Sequence, residues 1–197
     1  VQTCALPIYD FMETVHWTWE YESAATGESY GKYQVLNNYC VNVRTNEPRC
    51  TSCHAGYGWK DATFDHSNPG NIDCLVCHHL SGQYNKFPTG AGHPAYEDTT
   101  FSGKDWPAVD LVVAAQSVGT PTRANCGACH FTGGGGDAVK HGDMDTSLKA
   151  PSFELDVHMD AEGLNFTCQT CHTTEDHQVA GSRYEMGAIG CDDCHTE

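Results

Sequence analysis

Ten of the twelve cysteines in this 197-residue chain fall into five C-x-x-C pairs, and each pair is followed at once by histidine. The five sites are Cys50-Cys53-His54, Cys74-Cys77-His78, Cys126-Cys129-His130, Cys168-Cys171-His172 and Cys191-Cys194-His195. Two thiols three residues apart can reach the two vinyl groups along one edge of a porphyrin, and the next residue can swing its imidazole under the iron as proximal ligand. One short motif then supplies both tether and axial bond. A zinc site needs four ligands and takes C-x-x-C pairs two at a time, which strands the fifth pair and leaves the five histidines unexplained. A disulfide framework gives no reason for histidine after every pair. The spacing therefore predicts haem c, five groups covalently attached to this chain.

Each iron also has a sixth position. Seven histidines lie outside the motifs: His16, His66, His79, His93, His141, His158 and His177. A lone histidine is more often packed or exposed than ligating, but five irons in a small chain shift that expectation toward ligation. His93, His141, His158, His177 and His16 are the preferred distal ligands, in that order. His66 and His79 are left open, because His79 directly follows proximal His78 and should point away from the same iron. Two imidazoles per iron suit electron transfer, whereas an open or weakly ligated iron suits substrate binding.

The elements that must position these groups are short. Apolar residues make up 39% of the chain, with Gly at 20 positions and Pro at 8, so it cannot build a large aliphatic core of its own. Porphyrins packed against the polypeptide would supply the missing core. The expected fold class is mainly α with extensive loops and little or no β, a multihaem cytochrome c fold organised around stacked covalent haems. Apolar spacing (Phe11, Met12, Val15, Trp19) predicts a helix over Tyr9 to Glu20 ending near Gly27, with Trp17 and Trp19 flanking His16. A second helix is predicted over Pro107 to Val118, with Asp105 near its start, Pro107 as an early residue and Gly119 as its stop. The run Gly133 to Gly136 reads either as a flexible loop or, slightly preferred, as close approach of backbone to a porphyrin.

A formal net charge of −16 argues against a nucleic-acid or acidic partner and is compatible with docking to a basic redox protein. No apolar run long enough to span a membrane is present. Covalent haem attachment implies a periplasmic or extracellular location. Val1 to Ile8 (VQTCALPI) resembles a translated sequencing adapter, so residues 1–8 with Cys4 are expected to be non-native. Residues 9–197 are expected to form a single multihaem domain cut at both ends. Cys40 has no motif partner.

The segments around the motifs carry a resemblance. HWTWEYES (His16 to Ser23), EPRCTSCHAGYGWKD (Glu47 to Asp61), DCLVCHHLSGQYNKFPTGAGHP (Asp73 to Pro94), RANCGACHFTGGGG, KHGDMD, DVHM and FTCQTCHTTEDHQ are similar to the octahaem tetrathionate reductase family of cytochromes, over essentially Thr14 to His195. The resemblance implies that one haem motif precedes the HWTW segment and others follow the last one here, so that this chain holds five of eight. It also implies an active-site haem whose distal ligand is a lysine amine, fed by bis-histidine haems. Lys86 is the candidate amine among the six lysines and the haem at Cys50-Cys53-His54 its bearer, with Lys140 next. A ligating lysine must lose its proton, so burial and the iron would have to lower its pKa. The implied activity is reduction of tetrathionate, nitrite or hydroxylamine, with electrons from a redox partner protein or a quinol-linked donor. The other reading is a pure electron conduit in which every haem is bis-histidine.

Overall fold

The computed structural model describes residues 6–35, 46–131, 133, 135–139, 144–181 and 187–196. His141, Lys140, Cys4 and Cys40 lie outside the described residues. The architecture is short helical turns joined by long loops, with three small antiparallel hairpins: β1 (Glu20–Glu22) with β2 (Ser29–Gly31), β3 (Thr99–Phe101) with β4 (Lys104–Trp106), and β5 (Thr174–Glu175) with β6 (Gln178–Val179). This is the mainly helical, loop-rich fold that the composition predicts.

The helices are α1 (Leu6–Met12), α2 (Glu47–Cys50), α3 (Leu75–His78), α4 (Leu111–Gln116), α5 (Arg123–His130) and α6 (Cys168–Cys171). Every haem motif sits on a helical turn: the first on α2 and the 3₁₀ turn Thr51–Cys53, the next three on α3, α5 and α6, the fifth on a 3₁₀ turn at Cys191–Asp193. A helical turn brings positions i, i+3 and i+4 to one face, which are the places of Cys, Cys and His. In three motifs the histidine amide closes the turn onto the first cysteine carbonyl: His78 on Cys74 at 3.0 Å, His172 on Cys168 at 2.9 Å, His195 on Cys191 at 2.8 Å. The first motif differs, because His54 closes a tighter turn onto Thr51.

Two predicted helices are shorter than the periodicity suggested. α1 stops at Met12 because the Thr14 hydroxyl donates back to the Phe11 carbonyl at 2.8 Å and Thr14 then anchors a turn through Trp17 and Thr18. Residues Glu20 to Glu22, expected as the helix end, pair as a strand instead. α4 starts only at Leu111, where the Asp110 carboxylate accepts from the amides of Val112 and Val113, a capping arrangement. Asp105 belongs to β4, and Gly119 lies beyond the helix end, where its carbonyl has another use. In the Gly133 to Gly136 run, Gly135 takes φ +115°, a left-handed conformation with open space around it.

The protein-only core is small. Ala55, Val76, Tyr84, Val109 and Ala114 form one buried cluster, and Trp17 and Phe131 are the large fully buried side chains. Val112, Val139, Phe153, Leu155 and Leu164 are all exposed. The chain exposes 12368 Å², whereas a compact protein of 21.5 kDa exposes roughly 9000 Å². The exposed apolar residues are surface of the kind that porphyrins would cover.

Candidate haem sites and their ligands

Ligation needs a neutral imidazole whose second nitrogen is held by a hydrogen bond. At the second motif, His78 Nδ1 donates to the Gly119 carbonyl at 2.9 Å. At the fourth, His172 Nδ1 donates to the Ala180 carbonyl at 2.9 Å. A carbonyl can only accept, so both rings carry the proton on Nδ1 and leave the Nε2 lone pair for a metal. The chain between Thr173 and Ala180, with Gly187, lines an open groove of about 550 Å³ beside His172.

Four of the five motif histidines have a second imidazole at ligating distance, His54 through His66 at 6.0 Å and the other three through His16, His177 and His158. His16 and His130 lie 6.4 Å apart by ring centroid, His177 and His78 6.2 Å, His158 and His195 5.8 Å. Two imidazoles that ligate one first-row metal from opposite sides, with metal–nitrogen bonds of about 2 Å, have centroids roughly 6 Å apart. Each distal ring arrives by its own device. His16 follows the Thr14 turn, and burial, then the charge of Lys32, then His130 lower its pKa to about 4, so it is neutral. His158 sits with Nδ1 4.0 Å from the Asp156 carboxylate and stacks on Phe166 at 5.9 Å. His177 occupies the two-residue turn between β5 and β6, where Asp176 (φ 46°) and His177 (φ 66°) are both left-handed, the geometry of a tight hairpin turn.

The remaining candidates lie elsewhere. His93 stacks on Tyr57 at 5.4 Å and bonds Tyr96 Oη through Nδ1 at 2.8 Å. His79 is buried against Tyr84, and its carbonyl accepts from Asn125.

The first motif has a different environment. His54 is enclosed by Trp17, Trp59, Phe64 and His66, at ring distances of 4.7, 4.9, 5.7 and 6.0 Å. Its Nε2 donates to the Trp17 carbonyl at 2.9 Å while Nδ1 is buried without a partner, so ligation through Nε2 requires exchange of that bond. Burial holds its pKa well below the usual histidine value. Loop residues Lys86 to Pro94 fold onto this motif through Ala91 N to the Pro48 carbonyl and Gly58 N to the Ala91 carbonyl. Gly92, at φ +90°, passes so close that a Cβ would lie 2.0 Å from the Gly56 oxygen. The Lys86 amine donates to the carbonyls of His54 and Gly56 and pairs with Asp73 at 3.3 Å. Asp73, fully buried, also accepts from Tyr57 and Tyr84, each at 2.7 Å.

Sequence reasoning missed a second amine. Lys32 follows β2, and its charge bears on His16, His54, His66 and His130. Burial lowers its pKa to about 7, and no hydrogen bond or ion pair holds its amine among the described residues. Its only local signal is the sequence GKYQ (Gly31 to Gln34), which carries no haem-like pattern.

The motifs touch one another. Cys129 of the third lies 3.6 Å from the Cys53 carbonyl of the first, Cys126 neighbours Cys168 of the fourth, and α5 packs on α3 of the second. The third motif is thus the hub of this set. No protein-family model matches the chain. The crystal structure of an octahaem cytochrome c from Shewanella oneidensis superimposes with a TM-score of 0.77 and 44% identity, over 98% of this chain and 42% of that one. The chain belongs to the octahaem cytochrome c family. An uncharacterised protein of Archaeoglobus fulgidus is 32% identical over 137 residues, 66% of this chain and 45% of that protein. The chain thus spans less than half the length of either relative. Membership of the family makes it a multihaem c-type cytochrome carrying haem c, and the Nδ1-anchored histidines, facing imidazoles and uncovered apolar surface fit that cofactor. Among the described residues no helix is long and apolar enough to cross a membrane.

Proposed function

We propose that this protein binds five haems c outside the cytoplasm and reduces small sulfur or nitrogen compounds (tetrathionate, nitrite or hydroxylamine) at its first motif. The observation that carries the reading is an asymmetry. His78, His130 and His195 each face a second histidine, as electron-passing sites do, whereas His54 has, besides His66 at 6.0 Å, two lysine amines, a buried carboxylate and two phenols around it. When bound, haem c supplies electrons and a Lewis-acidic iron.

The residues do the rest. Lys32 is the amine with a lone pair at hand, since burial disfavours its charged form and, among the described residues, nothing holds its proton. Lys86 has its three N–H bonds directed to two carbonyls and Asp73, so it acts as a fixed cation that attracts an anionic substrate in a protein of net charge −16. Tyr57 and Tyr84 hold protons beside Asp73 for substrates whose reduction consumes them. Tetrathionate needs none: its central S–S bond breaks as two electrons enter, and two thiosulfate ions leave. The electrons come from a redox partner protein or a quinol-linked donor in the periplasm or at the cell exterior.

The test is oxidation of a reduced viologen by the complete haem-loaded protein, offered each substrate in turn, with Lys32→Met and Lys86→Met alongside. Turnover that collapses in Lys32→Met and weakens chiefly through a raised KM in Lys86→Met supports this assignment. The reverse pattern makes Lys86 the ligand. A pure electron conduit is favoured by one observation, the 6.0 Å spacing of His66 from His54. Absence of turnover, together with conversion of one haem to high spin in His66→Ala, would establish the conduit instead.

A further inference from the structure

Arg123 opens α5 and is buried, 7% exposed. Its guanidinium donates to three neutral oxygens: Nε to the Phe166 carbonyl at 3.0 Å, one terminal nitrogen to the Lys149 carbonyl at 3.3 Å, and the other to Asn165 Oδ1 at 2.6 Å. No carboxylate pairs with it among the described residues. The placement is unfavourable twice over. A buried cation without a counter-charge is costly to desolvate, and the N-terminal end of a helix is itself positive. Packing alone would be served by an apolar residue.

Its surroundings suggest what the charge does. Arg123 is three residues before Cys126, on the same face of α5, and Cys126 neighbours Cys168. The guanidinium therefore lies near where the attachment edges of the third and fourth motifs meet. Through Phe166 it also touches the stack on His158, which faces His195.

We propose that Arg123 is a fixed, uncompensated positive charge that raises the reduction potentials of the haems at the third and fourth motifs. Ferric haem carries one more positive charge than ferrous haem, so a nearby cation favours the reduced form. This biases electrons toward the hub that adjoins the first motif. For a unit charge roughly 12 Å from an iron, at an effective dielectric near 20, a one-electron equilibrium shifts by about tenfold, or about 59 mV. The inference rests on haems being attached at both motifs. Intact mass and haem content of each variant separate failure of that premise from failure of the inference.

The experiment is a potentiometric titration of the full-length haem-loaded protein, followed by visible and electron paramagnetic resonance spectra, for the parent, Arg123→Lys, Arg123→Gln and Asn165→Asp. Asn165→Asp keeps the arginine and its clamp but sets a carboxylate against the guanidinium, at a position (φ 52°) that aspartate tolerates. Two haems should fall in potential by about tenfold in equilibrium in Arg123→Gln and in Asn165→Asp, while Arg123→Lys stays close to the parent. Unchanged potentials in Asn165→Asp would overturn the proposal and leave Arg123 a structural clamp, whether or not Arg123→Gln folds. An Arg123→Lys variant that drops as far as Arg123→Gln would overturn it equally, since the charge would then be irrelevant.

Discussion

Replacing His177 by glycine should stabilise or spare the hairpin that carries it while removing one axial ligand from the second motif. In the structure His177 stands at φ 66° beside Asp176 at φ 46°, with no glycine in the turn. A left-handed conformation costs an L-residue roughly 1–2 kcal/mol, and glycine would relieve it, less the roughly 0.5–1 kcal/mol that glycine loses in chain entropy. The net change in folding stability should therefore stay within about 1 kcal/mol. The consequence for the metal is much larger. His177 lies 6.2 Å from His78, whose Nε2 is left free by the Nδ1 bond to Gly119. His177→Gly should convert one low-spin bis-histidine haem to high spin, and His177→Met should keep it low spin but raise its potential on the order of 0.1 V, a fraction of the range that axial ligands span. The assay is electron paramagnetic resonance with near-infrared magnetic circular dichroism on the oxidised, fully haem-loaded protein. If His177 were only a turn residue, His177→Gly would be spectroscopically silent. Undiminished low-spin intensity in that variant would refute the pairing and with it the use of ring spacing to assign ligands.

Other expectations follow from the surroundings of the first motif. Trp17 is fully buried against Phe11, His54 and Phe64 and donates to the His66 carbonyl at 3.0 Å, so Trp17→Ala should cost about 3–5 kcal/mol, read by thermal or denaturant unfolding. Burial and then the Asp73 charge raise the pKa of both Tyr57 and Tyr84. Raised phenol pKa values contribute stability that is complete below the unfolded value of about 10 and lost as pH climbs above it. Alkaline unfolding followed by circular dichroism should thus steepen beyond that point, and Tyr84→Phe should flatten the limb at a cost of about 1.5–3 kcal/mol near neutrality, for a lost bond to a charged group. A pH-independent stability in the parent above that value would contradict this. Gly92→Ala places a methyl against the Gly56 oxygen at a left-handed position. It should lower stability by more than the roughly 1–2 kcal/mol of backbone strain alone and perturb the spectrum of the first-motif haem before any other.

Much of the site is legible without coordinates because it is local. Cys, Cys and His at i, i+3 and i+4 meet on one helical turn whatever surrounds them, and all five motifs occupy such turns. The low apolar content likewise announced a core that side chains alone do not fill, and the exposed apolar residues agree. The helix boundaries were less legible. Hydrophobic spacing ran through Thr14 and Pro107, but a back-bonded hydroxyl ended one helix early and the Asp110 carboxylate started the other late. These are single hydrogen bonds, to which periodicity is blind.

The facing imidazoles belong wholly to tertiary structure. His16, His158 and His177 were recognisable as candidates, yet nothing in their flanking residues says that they face His130, His195 and His78. The same holds for Lys32, whose burial among four histidines comes from the way β2 and its following turn pack. The sequence by itself determined which segments can tether haem, because the two cysteines and the histidine of each motif lie within five consecutive residues. Tertiary structure decided which imidazoles face His78, His130 and His195, because each of those partners is brought in through space by a different loop, and no rule of local spacing connects the two.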